Sequence, residues 1–198
     1  GAVTGNLKGG IGTASMVLDG GRNGGVVTVA ALVAVNAAGS PIDPGTGELL
    51  GARLLVPADG PALPIPDDEA RRRLLEITAP RAPSMTFAGD VIGNTTLVVV
   101  ATDATLTKAQ CTKLAAVAQN GLARALNPVH TMFDGDIVFG LATGSTGAPD
   151  QAGFHRIAVA GADAVTRAIV RALLAARTTT TPAGNWPSWS DVVGGPSR

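Results

Sequence analysis

Thr95-Thr-Leu-Val-Val-Val-Ala-Thr-Asp103 is the stretch whose reading decides the fold. It is β-branched almost throughout and apolar on both faces at its centre, the pattern of a strand covered on both sides. Directly after it, Thr107-Lys-Ala-Gln110 has capping-box spacing. Leu114, Val117, Ala118, Leu122, Ala125 and Leu126 then recur at a helical period, which predicts a helix ending near Asn127-Pro128. Asp136-Ile-Val-Phe-Gly-Leu-Ala142 reads as the next strand. Working outward, Val26 to Val35 reads as a buried strand bounded by Gly25 and Asn36-Ala-Ala-Gly39, and Ala162 to Arg177 reads as a second long helix. Strands interleaved with helices give an α/β layered fold, and the short gap at residues 127–135 allows mixed rather than purely parallel pairing. Residues 1–25 are expected to be loop with short strand pieces, and 40–66 irregular surface. A short amphipathic helix is expected after Asp67-Asp68-Glu69, with Arg71 to Arg73 on its solvated face. Residues 77–94 are expected to be a Pro-bearing connector and the tail after Thr178 irregular.

Composition narrows the function classes. The 198 residues carry 15 Lys+Arg against 15 Asp+Glu, so the net charge is +0 and a nucleic acid or acidic membrane partner is disfavoured. With 45% apolar and 15% charged residues, the chain can bury a substantial core as one domain. Four Phe, two Trp and no Tyr leave little for stacking platforms. One cysteine, Cys111, excludes an internal disulfide framework and a multi-cysteine metal site. The expected setting is a reducing compartment, the cytoplasm. No cofactor or metal motif is found. The longest strongly apolar stretch, Val26 to Val35, falls short of the roughly 20 residues that a spanning helix needs. The chain opens Gly1-Ala-Val-Thr4 without Met or a signal-peptide pattern, so its true beginning is expected to lie further upstream.

Several residues could carry chemistry. Lys8-Gly-Gly-Ile-Gly-Thr-Ala-Ser15 invites a phosphate-cradle reading but fails the Walker and dinucleotide patterns. A tight Gly turn or a lysine placed beside a site remain open. Thr95 sits where the connector meets the buried strand, preceded by Asn94. Threonine is a weak nucleophile without a base, and one solution is its own freed α-amine, whose pKa of roughly 8 suits proton transfer near neutrality. That requires the chain to be cut before Thr95, a cut the same hydroxyl can make by attacking the Asn94 carbonyl. Alternatively, Thr-Thr is only strand propensity. In Asp134-Gly135-Asp136 the two carboxylates, two apart, project to one face and can do proton-relay work, or the motif is a turn. Asn36 could donate to a developing oxyanion or simply end its strand. His130 and His155 read as surface or capping residues, and Cys111 as a small buried helix residue. Trp186 and Trp189 read as seals of the core, of a subunit contact or of a channel.

Taken together, Lys8 to Ser15, the Val26 to Asn36 strand, Asn94-Thr95-Thr-Leu-Val-Val-Val-Ala-Thr-Asp-Ala104 and Asp134-Gly-Asp136-Ile-Val-Phe-Gly resemble the D-aminopeptidase/β-aminopeptidase family of self-cleaving N-terminal-nucleophile hydrolases. The resemblance implies an αββα sandwich with mixed sheets and autocleavage of Asn94–Thr95 into parts 1–94 and 95–198. It implies Thr95 as the nucleophile of an amide hydrolase, with Asp134 and Asp136 assisting it, Lys8 supplying positive charge and Asn36 serving the oxyanion. Aminopeptidase branches carry Ser at the nucleophile and Ser-Gly-Glu where this chain has Asp134-Gly-Asp136. The departure points to the branch that hydrolyses nylon oligomers, linear 6-aminohexanoate chains. A β-amino-acid or D-amino-acid aminopeptidase is the alternative, and a non-catalytic anion-binding α/β module the second. Relatives carry a Tyr at the site and further chain upstream, and they often assemble as tetramers of α/β heterodimers.

Overall fold

A computed structural model describes residues 2–19, 25–79, 94–182 and 184–194. Its centre is a four-stranded sheet in the order β3 (Ile11–Asp19), β4 (Val26–Ala34), β5 (Leu97–Thr102) and β6 (Ile137–Ala142). The first two pairings are antiparallel and β5 runs parallel to β6, so the sheet is mixed. A parallel pair needs a crossover, and α2 (Lys108–Ala125) supplies it. Thr107 caps α2 by accepting from the Gln110 N–H, and Gln110 reaches back to the Thr107 N–H, the reciprocal pair its spacing predicts. Register aligns Ile11, Ala34, Leu97 and Ile137 in one row across the sheet. Asn36, Thr95 and Gly135 lie just outside that row.

Helices cover one face. Val29, Ala31, Val33, Val98 and Val100 are buried there beneath α2 and α3 (Gln151–Ala175). Close approach is what the glycines of this layer permit. A Cβ on Gly12 would meet the α3 backbone at Ala168, and one on Gly140 would meet the Cys111 carbonyl of α2. Cys111 itself is only half-buried. On the other face Ile11, Val17, Leu32, Leu97, Ile137, Phe139 and Leu141 stand exposed, between 41% and 68%. These side chains make the uncovered face of the sheet markedly apolar. Of an αββα sandwich, the described residues therefore form one sheet and the helix layer on one of its faces.

Three sequence expectations are corrected. Residues 11–19 form a full strand rather than loop, because Ile11-Gly-Thr-Ala-Ser alternates exposed with buried positions and its glycine fits against α3. The last long helix starts at Gln151, well before Ala162. Asp150 caps it by accepting from the Gly153 N–H, and the glycines at 153 and 161, poor helix formers, masked its first turns. The tail holds a hairpin, β7 (Thr179–Thr181) with β8 (Gly184–Trp186), followed by α4 (Trp189–Val193). Other expectations fit: α1 (Asp68–Thr78) is capped by Asp67, and residues 40–66 are irregular apart from two 3-10 turns, Ala52–Leu54 and Pro57–Asp59. The connector's residues 80–93 lie outside the described residues. Trp189 is buried and donates from its indole to the Gly47 carbonyl at 3.0 Å, a sealing role. The irregular loop is clamped by charge. Arg167 of α3, 5% exposed, donates in a fork to Asp59 at 2.7 and 2.8 Å and to the Ser15 carbonyl at 3.1 Å, while Arg171 adds a contact to Asp59 at 2.9 Å.

Candidate active site

The candidate residues gather at the end of the sheet where β4 finishes and β5 and β6 begin. Asn94 forms a parallel bridge with Asp134 in the register that β5 and β6 then continue. Thr95 therefore falls opposite Gly135, and Thr96 opposite Asp136. The β4–β5 register, carried two residues past Ala34 and Leu97, brings Asn36 opposite Thr95 from the other side. Two more short strands complete this end: β1 (Val3–Thr4) pairs antiparallel with β2 (Leu7–Lys8), and Thr4 bridges to Ala37.

The Asn94–Thr95 junction is held from the β6 side. The Asn94 N–H donates to the Phe133 carbonyl at 3.2 Å, and the Asn94 carbonyl accepts from the Gly135 N–H at 2.8 Å. Thr95 Oγ1 has no hydrogen-bond partner among the described residues. The space beside it is kept open by Gly135, where a Cβ would stand 2.8 Å from that oxygen. Side chains alternate along a strand, so Thr95 shares the open face of the sheet with Leu97, while Thr96, fully buried, shares the helix-covered face with Val98.

The two carboxylates do lie on one face, as their spacing predicts, but it is the face of Thr96 and not of the Thr95 hydroxyl. The Asp136 side chain is 1% exposed. Its Oδ1 accepts from the Thr96 N–H at 2.9 Å, and its Oδ2 lies 3.1 Å from His130 Nδ1. Asp134 reaches across the junction to accept from the Ala38 N–H at 2.8 Å, and its other oxygen accepts from the Thr131 hydroxyl at 2.6 Å. Asp136 thus holds the segment carrying Thr95, while Asp134 ties the loop at Thr131 to the backbone at Ala38. Asn36 Oδ1 accepts from the Val3 N–H at 3.1 Å, and since only an oxygen can accept there, the amide nitrogen is left as a donor without a partner among the described residues. Lys8, the register partner of Val3, donates from Nζ to the Ala2 and Gly9 carbonyls at 3.1 and 2.8 Å. Its ammonium therefore stands on two backbone oxygens.

With this geometry in place, comparison with known proteins decides the family. Residues 1–186 match peptidase family S58. The chain belongs to that family. An uncharacterized aminopeptidase of Mycobacterium tuberculosis is 38% identical to this S58 chain, covering 98% of it and 55% of the relative. One of Mycobacterium leprae is 37% identical, covering 100% and 54%. Among solved structures, a Burkholderia sp. β-aminopeptidase superposes with a TM-score of 0.61 at 28% identity, covering 100% of this chain and 53% of that one. The L-aminopeptidase D-Ala-esterase/amidase of Ochrobactrum anthropi, described as a variant of the Ntn hydrolase fold, superposes at 0.63 with 22% identity, covering 95% and 47%. The S58 chain thus spans about half the length of the relatives it matches, and shares their fold.

Three further residues at this junction escaped the sequence reading. Gly135 looked like turn chemistry, and only the register reveals that it faces Thr95. His130, which reads from the sequence as a surface or capping residue, and Thr131 lie against the two carboxylates. The available signal was their position within six residues of an Asp-Gly-Asp, on a loop short enough to fold back on it. His155 is exposed on α3, as expected. No helix among the described residues is long and apolar enough to cross a membrane.

Proposed function

We propose that the protein is a self-processing amide hydrolase whose nucleophile is Thr95, exposed as a new N-terminus when the Asn94–Thr95 bond is cut. The observation that carries this reading is the junction itself. The Asn94 carbonyl oxygen is already hydrogen-bonded by the Gly135 N–H, and the Thr95 hydroxyl, without a partner among the described residues, stands beside it in a space that Gly135 keeps clear. In self-cleavage, Thr95 Oγ1 bonds to the Asn94 carbonyl carbon and its proton passes to the Thr95 nitrogen as the C–N bond breaks. The developing oxyanion meets the Gly135 N–H. Water then hydrolyses the ester, leaving residues 1–94 with a carboxylate at Asn94 and residues 95–198 with a free α-amine.

That amine acts on the next amide as the local base: it takes the hydroxyl proton as Oγ1 attacks the substrate carbonyl, and delivers it to the leaving amine. Asn36 offers its amide N–H to the substrate oxyanion from the β4 side. Asp136 and Asp134 hold Thr96 and the Ala38 backbone so that hydroxyl and amine keep their alignment, and Lys8 contributes positive charge at the β1 edge. Family membership in S58 and the aminopeptidase relatives support amide hydrolysis as the reaction class.

For the substrate, Thr at the nucleophile and paired aspartates favour linear 6-aminohexanoate oligomers. The relatives named as aminopeptidases favour a second reading, removal of an N-terminal β- or D-amino acid, on the same machinery. An assembly of cleaved heterodimers accompanies either. Intact-mass analysis under denaturing conditions tests the central step: wild type should give two fragments, one beginning at Thr95, and Thr95→Ala a single chain. A set of amides with and without a free amine next to the scissile bond then separates the two substrates.

A further inference from the structure

Building on Thr95 as the nucleophile, we propose that His130 is a positioning residue of this site, acting through Asp136. A carboxylate that is 1% exposed has no water to fall back on, so its orientation is set by the donors around it. Oδ1 has the Thr96 N–H at 2.9 Å. Oδ2 depends on His130, which presents its ring Nδ1 at 3.1 Å and its backbone N–H at 3.4 Å. The half-exposed ring thus lies against Oδ2 on the side away from the Thr96 N–H.

A competitor makes the contact matter. Thr96 Oγ1 is buried and has no hydrogen-bond partner among the described residues, on the same face as Asp136. Without the His130 ring, Asp136 can turn to accept from that hydroxyl, giving up the Thr96 N–H that aligns Thr95. His130 also sits at φ 56, in the left-handed region that a non-glycine residue seldom occupies. Such a conformation persists where neighbours over-determine it, and here the backbone N–H and the ring Nδ1 both face one oxygen. Thr131, next in the chain, holds Asp134 in the same way. Consecutive loop residues therefore bracket both aspartates beneath the junction.

Two substitutions that both tolerate positive φ isolate the ring's contribution. His130→Gly removes the donor, and His130→Asn returns an N–H at the same branch of the side chain. Self-cleavage of the freshly expressed full-length protein is followed by denaturing intact mass, alongside the thermal unfolding midpoint. The Gly variant should cleave at least about 10-fold more slowly, since small misplacements of a reacting group carry penalties of that size or more. The Asn variant should recover to within about 3-fold of wild type, with both unfolding midpoints close to the parent. A Gly variant cleaving at the wild-type rate, or an Asn variant no faster than the Gly one, overturns the assignment to His130. Wild type yielding no fragment that begins at Thr95 overturns the nucleophile reading, and the His130 role falls with it.

Discussion

Replacing Gly135 with Ala is the sharpest perturbation the site offers. The new methyl would stand 2.8 Å from Thr95 Oγ1, about 0.6 Å short of an ordinary contact. Gly135 is not at positive φ, so Ala fits the backbone, and Thr95 Cγ2 at 3.8 Å is not crowded. The strain therefore falls on one movable atom. Threonine is stiff at χ1, so relief comes from rotation to another staggered well or from a shift of the strand start, and either displaces the hydroxyl by an ångström or more. Misplacement on that scale costs about 10²-fold in rate, while global stability should change by no more than about 1 kcal/mol because only one contact is crowded. Self-cleavage followed by intact mass, with thermal unfolding in parallel, reads both quantities. Gly135→Ala cleaving within about 3-fold of wild type would refute the claim that this glycine exists to make room for the nucleophile.

Elsewhere the expected effects are on stability. Asp59→Asn leaves the Arg167 guanidinium buried without its counter-charge and should cost about 3–5 kcal/mol in denaturant unfolding. The Arg167 hydrogen bonds hold the Asp59 carboxyl well below the usual carboxylate range. Its contribution is thus complete above about pH 4 and fades as pH falls towards the lowered folded value, a slope the Asn variant should lack in acid-unfolding curves. Thr107→Ala removes one half of the α2 capping box and should lower stability by about 1 kcal/mol, with Thr107→Ser recovering most of it.

What the sequence could reveal followed the physics of each element. β5 and α2 were legible because doubly covered strands and capped amphipathic helices write themselves in local pattern. Residues 11–19 were not, because the glycine that suggested a loop was there to admit α3, and a close approach between distant segments leaves no local trace. The same division runs through the site. Thr95, Asn94, Asn36 and the Asp-Gly-Asp run stand at element boundaries that periodicity can find. Which face each side chain occupies depends on the pairing of strands 40 residues apart, and that is where the reading of two carboxylates aimed at the hydroxyl had to give way to two carboxylates beneath it.

That placement changes what the aspartates can do. A base for Thr95 Oγ1 must lie within hydrogen-bond reach of it, and the hydrogen bonds of Asp134 and Asp136 run instead to Ala38, Thr131, Thr96 and His130. In the proposed scheme the proton acceptor is then the nitrogen of Thr95 itself, first as the amide being cut and afterwards as the free amine. Asp136→Asn separates these views. An amide at 136 can still accept the Thr96 N–H through its oxygen, but its other atom would then be a nitrogen facing the His130 donors. A brace should lose part of its hold, with slowed self-cleavage that His130→Gly does not slow further. A carboxylate acting as base would instead lose activity outright while leaving the effect of His130→Gly undiminished in any residual rate. Non-additivity in the double variant is therefore the signature of a positioning chain from His130 through Asp136 to Thr96.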